Sequence, residues 1–146
     1  MKKNASTTLA FLLLVFSILG SCRQAQEQDS CSIQQVINVS VDLQSPAFQV
    51  LQQTGQWAYV QSSEAGKLGL IVVNTPQGYR AYDRIAPHIC PHSTIKLEVN
   101  GGRIEYQPDG TQWDLMTGTP RSGSNVPLKI YRVFLNYDSQ SIQIIN

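Results

Sequence analysis

Soft metal donors are scarce in this chain, which has three cysteines and two histidines among 146 residues. So few cysteines exclude a disulfide-framework fold. Charged residues are also few, at 14% of the chain. With 11 Lys and Arg against 10 Asp and Glu, and no basic cluster, the chain lacks the electrostatic footprint of a nucleic-acid binder. There is no Ser-His-Asp spacing and no G-x-S-x-G elbow, so the common hydrolase signatures are missing. No long amphipathic helical pattern and no internal repeat appears. The longest apolar run, "LAFLLLVFSIL" at residues 9–19, falls short of the about 20 residues that span a bilayer.

That run follows Lys2 and Lys3 and fits the core of a secretory signal peptide over residues 1–21. It ends in "LGSC", residues 19–22, with small residues just ahead of Cys22. This resembles the lipobox of bacterial lipoproteins, in which the cysteine is lipidated and becomes the first mature residue; the alternative is an ordinary signal peptide with a chance cysteine. The resemblance implies several acyl chains on Cys22 and firm anchoring. The expected location is the cell envelope, outside the cytoplasm and on the outer membrane, with the bilayer as the one partner the sequence names. Without Lys2 and Lys3 the 11 basic residues become nine, against ten acidic ones. "RQAQEQDS", residues 23–30, is polar and aperiodic, and residues 22–32 read as a lipidated terminus and tether. A bridge between Cys31 and Cys90 is conceivable in an oxidising compartment.

Residues 33–146 then suit one domain with a real core. "INVSVDL", residues 37–43, alternates with Ile37, Val39, Val41 and Leu43 on one face, which predicts a half-buried strand. In residues 45–55, Ser45 as N-cap, Pro46 in the first turn and Gly55 as a stop predict a short helical turn with Phe48 and Leu51 inward. Strands follow at "WAYV", "GLIVV" and "YRAYD" (57–60, 69–73 and 79–83), with a turn at 74–78. "IKLEV" and "RIEY" flank Asn100-Gly101-Gly102, a hairpin signal. "TQWDL" follows the Asp109-Gly110 turn, residues 118–125 read as a mobile surface loop, and "PLKIYRVFLN" with "SIQIIN" forms a last hairpin around Asp138. Short strands without long helices predict an all-β sandwich or barrel.

Two stretches carry a family resemblance: "AYDRIAPHICPH" (81–92), and "IEYQPDGTQWDLMTG" (104–118) followed by "VPLKIYRV" (126–133). On these the chain resembles the Rieske 2Fe–2S domain, and more closely the small Rieske-like lipoproteins of Gram-negative bacteria. The resemblance covers residues 33–146 and implies a small β domain with two hairpin loops at its tip, carrying C-x-H and C-x-x-H. The frame is kept as Asp109-Gly110, Trp113-Asp114, Gly118 and "PLKIYRV", residues 127–133.

The ligands are not kept. On this frame Tyr106 stands at the second cysteine position and Asp109 at the second histidine position. An Asp-Arg pair like Asp83-Arg84 places Ala86 at the first cysteine position and His88 at the first histidine position. A second register would use Cys90-Pro91-His92 as an intact C-x-H, at the expense of the Asp-Arg anchor. A Rieske cluster needs two thiolates on one iron and two imidazoles on the other. Tyr and Asp are hard oxygen donors, and the iron at the cysteine position requires soft thiolate. Neither register should hold an ordinary cluster, so no cofactor is expected.

Alternatives stand beside this reading. His88, Cys90 and His92 lie at alternate positions and could bind zinc or copper, although alternate side chains on a regular strand sit nearly 7 Å apart. Asp83, Glu105, Asp109 and Asp114 could supply paired carboxylates, but a turn role for Asp109 and strand-end roles for the rest explain them better. Trp57, Tyr59, Tyr79 and Tyr82 are expected in or near the core. The functional expectation is a non-catalytic binding or structural module on a membrane tether. A working 2Fe–2S electron-transfer protein is the alternative.

Overall fold

The computed structural model describes residues 36–89, 94–138 and 140–146. The expected signal peptide, Cys22, the tether and Cys31 lie outside these residues, as do Cys90 and His92, and with them the Cys31–Cys90 bridge. The described chain is all-β, as expected. Its strands are β1 (Asn38–Asp42), β2 (Trp57–Val60), β3 (Leu70–Thr75), β4 (Gly78–Asp83), β5 (Glu98–Asn100), β6 (Arg103–Tyr106), β7 (Thr111–Asp114), β8 (Pro120–Ser122), β9 (Ile130–Asn136) and β10 (Ser141–Ile145). They form a six-stranded sheet in the order β1-β10-β9-β4-β3-β2 and a four-stranded sheet, β5-β6-β7-β8, with antiparallel pairing throughout.

The alternation in β1 directs Val39 and Val41 inward beside Ile142 and Ile144 of β10. These pack with Val60, Leu70 and Val72 from the far half of the same sheet, so the sheet curls around a first core. The other face of β3 and β4 turns Ile71, Val73 and Tyr82 toward the small sheet, where Ile104, Trp113 and Leu115 complete a second core. Leu70, Ile71, Val72 and Val73 are all fully buried because β3 is covered on both faces. That explains why its sequence reads as an unbroken apolar run rather than an alternation.

Gly101 and Gly102 both have positive φ, at 55° and 80°, in the two-residue turn joining β5 to β6. Twisted strands favour such a turn, and glycine enters it without a Cβ penalty.

Two expectations change. The helical turn is a 3₁₀ turn, Gln49–Gln52, which starts later than Ser45 and has no side-chain cap. Leu51 is buried and Phe48 packs on the core as expected. Residues 118–125 are not simply a surface loop, because Pro120–Ser122 pairs with β7 as an edge strand. A register shift at Gln112/Trp113 accommodates that pairing. Gly123 packs so closely on Thr111 that a Cβ there would lie 2.5 Å from its Oγ1.

Candidate functional site

Two loops meet at one end of the domain. The segment from Tyr106 to Thr111 closes the β6–β7 hairpin, while the segment after Asp83 carries the chain from the large sheet to the small one. The base of this crossover is built by Asp83 and Arg84. Asp83 Oδ1 accepts the Ile85 N–H at 2.8 Å, and its Oδ2 accepts the Tyr131 hydroxyl at 2.7 Å. Burial, together with donation to Asp83, holds the Tyr131 phenol well above its ordinary range.

Arg84 is buried, contrary to the usual habit of arginine. Its Nε donates to the Leu97 carbonyl at 3.0 Å, and the Leu97 N–H donates back to the Arg84 carbonyl at 2.9 Å. The guanidinium lies 3.8 Å from the centroid of the Tyr59 ring. With the Gln61 amide oriented to satisfy its neighbours, its oxygen accepts from Arg84 at 2.9 Å and from Lys96 at 3.0 Å. Burial lowers the Arg84 pKa. This clasp fixes both ends of the crossover and so positions Ala86 and His88.

Ala86, His88, Tyr106 and Asp109, the four positions that the Asp-Arg register singled out, come together. Ala86 is fully buried in the second core beside Tyr106 and Trp113. The His88 ring stands edge-on to Tyr106, with centroids 5.5 Å apart and planes at 89°, and lies 5.5 Å from Trp113. His88 Nε2 and Asp109 Oδ2 are 2.7 Å apart. An ionised carboxylate can only accept, so Nε2 carries the proton. Nδ1 is buried and has no hydrogen-bond partner among the described residues. Asp109 Oδ1 also accepts the Thr111 N–H at 2.9 Å, and the Gly110 N–H bonds to the Tyr106 carbonyl at 2.9 Å.

The donor set does not suit an iron–sulfur cluster. Ala86 has no donor atom, Tyr106 and Asp109 present hard oxygens, and the imidazole spends Nε2 on a carboxylate. No group of three or more His, Cys, Asp and Glu is gathered among the described residues. The second register and the zinc or copper reading depend on Cys90 and His92, which lie outside them.

The carboxylates are engaged separately. Asp114 Oδ1 accepts the N–H groups of Met116 and Thr117, both at 2.9 Å, and its Oδ2 meets Arg121 at 2.6 Å. Glu105 lies 3.9 Å from Arg103. Each has the turn or strand-end role expected of it. The aromatic residues also fall as expected: Tyr82 is buried, whereas Trp57, Tyr59 and Tyr79 are half-buried against the two cores. Sequence reasoning did not foresee the His88–Asp109 bond or the burial of Arg84. The Asp83-Arg84 pair was the available signal for the second.

The bond from His88, followed by those from Thr111, holds the Asp109 carboxyl down to about 2, below the ordinary carboxylate range. A lowered folded-state pKa adds stability that is complete above the unfolded value and is lost as pH falls toward the folded one. The stability difference between wild type and Asp109→Asn should therefore narrow as pH drops from about 4 to about 2. Urea denaturation at stepped pH measures it; a constant difference across that window would remove the bond from the account.

No family model and no curated protein matches this chain. Similar solved structures exist. One is a chain in the complex of reduced oxygenase and oxidized ferredoxin in carbazole 1,9a-dioxygenase, at 21% identity and TM-score 0.49, covering 75% of this chain and 93% of that one. Another is the ferredoxin of carbazole 1,9a-dioxygenase from Nocardioides aromaticivorans, at 18% identity and TM-score 0.46, covering 75% and 97%. A third is a putative NADH-dependent nitrite reductase small subunit from Mycobacterium tuberculosis, at 14% identity and TM-score 0.45, covering 76% and 96%. The likeness is one of architecture.

Proposed function

We propose that this chain is an envelope lipoprotein, anchored through Cys22, whose Rieske-like domain holds no 2Fe–2S cluster and serves as a non-catalytic binding or structural module. One observation supports this above the rest: where two ligand loops would face a metal pair, His88 and Asp109 bond directly to each other at 2.7 Å. Ala86 and Tyr106 fill the remaining corners with atoms that belong to the second core. On this reading the protein neither transfers electrons nor catalyses a reaction. Among the described residues no hydroxyl or thiol lies within hydrogen-bond reach of His88 Nδ1 to be activated.

Protein purified without oxygen tests the proposal. It should be colourless, with iron and acid-labile sulfide far below one per chain. A red-brown sample with about two irons per chain would establish the electron-transfer alternative. Elemental analysis of the same sample for zinc and copper reads the third possibility, through His88, Cys90 and His92.

A further inference from the structure

Val36, the first described residue, lies at the same end of the domain as the converging loops. Asn38 pairs with Ile145, and Ile145 pairs with Arg132. Ile130, two residues before Arg132, pairs with Tyr82, one residue before β4 ends at Asp83. Val36 thus lies at the end of the sheet from which β4 releases the segment bearing Ala86 and His88. Fourteen residue steps separate Cys22 from Val36. At about 3.6 Å per step they can hold this end no more than about 50 Å from an anchoring membrane.

The same end exposes large apolar side chains. Val36 is 83% exposed, Ile130 49%, Ile95 46% and Ile89 37%, and they come from three separate segments. Arg132, which donates to the backbone carbonyl of Asn146, adds a cation beside Ile130. Apolar side chains with a neighbouring cation suit the headgroup boundary of a bilayer. The opposite pole is apolar too, with Leu135 and the 82%-exposed Tyr137 around an open hollow of about 270 Å³. The poles differ in one respect: Val36, the described residue nearest Cys22, lies at the first.

We infer that the loop-bearing end docks on the bilayer that carries the Cys22 anchor, with Ile95 and Ile130 entering the headgroup boundary and Tyr137 facing away. This rests on the anchoring reading above. The occupant is the lipid surface itself, reached by short side chains to a depth of about 5–10 Å. The bond between His88 and Asp109 then lies toward the membrane, and the Tyr137 pole is left for any protein partner.

The test uses the lipidated full chain, reconstituted into vesicles of phosphatidylethanolamine and phosphatidylglycerol with or without brominated acyl chains. Ile95→Trp, Ile130→Trp and Tyr137→Trp each add a reporter at an exposed position, and the wild-type signal from Trp57 and Trp113 is subtracted. Brominated lipid should lower the added emission at 95 and 130 by about half and leave that at 137 unchanged. Equal emission with both lipids at all three positions, or quenching at 137 alone, would overturn the orientation. Mass analysis of Cys22 and vesicle flotation come first. An unacylated or non-floating wild-type chain would instead defeat the anchoring reading, and the orientation with it.

Discussion

If the wild-type chain is free of a cluster as proposed, the Ala86→Cys/Tyr106→Cys/Asp109→His variant should take up about two irons per chain and gain the visible absorption of a 2Fe–2S centre. These three changes, with the resident His88, rebuild C-x-H on the crossover and C-x-x-H on the hairpin. The geometry favours the result for separable reasons. Removing the Asp109 carboxylate frees His88 Nε2, which it engages at 2.7 Å. Replacing Tyr106 removes the ring packed edge-on against His88 and opens volume between the loops. Ala86 already lies on the inner wall, so a thiol there points into protein rather than water. Double variants that omit any one change should stay colourless after the same reconstitution with iron and sulfide. Cys90→Ala in the triple background should keep the colour, since the Asp-Arg register gives Cys90 no role. A folded triple variant without iron would mean that these are not the vacated ligand positions.

Trp113→Ala should cost about 3–5 kcal/mol of stability, among the largest effects of any single truncation in this domain. Trp113 is a large, fully buried side chain and stands in the second core with Tyr82, Ala86 and Leu115. Its Nε1 donates to the Val126 carbonyl at 2.8 Å and so holds the chain between β8 and β9 against the small sheet. Truncation would leave a cavity beside His88, whose ring lies 5.5 Å away, and would release that connection together. Trp113→Phe keeps much of the burial and should cost less, on the order of 1–2 kcal/mol. Urea unfolding reads both values from shifts in midpoint at constant slope. A loss below about 1 kcal/mol for the alanine variant would mean that the ring is not enclosed as described.

Much of the fold was legible because local pattern and tertiary role agree. The alternation in residues 37–43 became β1, the apolar run at 69–73 became the doubly covered β3, and the two glycines after Asn100 became the tight turn between β5 and β6. β8 was not legible. It has three residues, two of them exposed, and it contains a proline, so neither periodicity nor propensity marks it. Its pairing depends on the register shift in β7. At the site, alignment of motifs named Ala86, His88, Tyr106 and Asp109 but not the bond that joins two of them. His88 and Asp109 are 21 residues apart in sequence, and their contact exists only because the small sheet settles on the outer face of β3 and β4. The position of Arg84 ran against burial statistics, and it is the Leu97 carbonyl and the Tyr59 ring that make it tolerable.

The division into two cores bears on how such a protein could change over time. Val39, Val41, Leu70, Val72, Ile142 and Ile144 enclose a volume to which none of Ala86, His88, Tyr106 and Asp109 contributes. Substitution at the tip therefore acts on the second core, where Ala86 and Tyr106 are buried, and leaves the packing of the first unchanged. Selection for a folded, soluble product would act on that half whatever residues the tip carries.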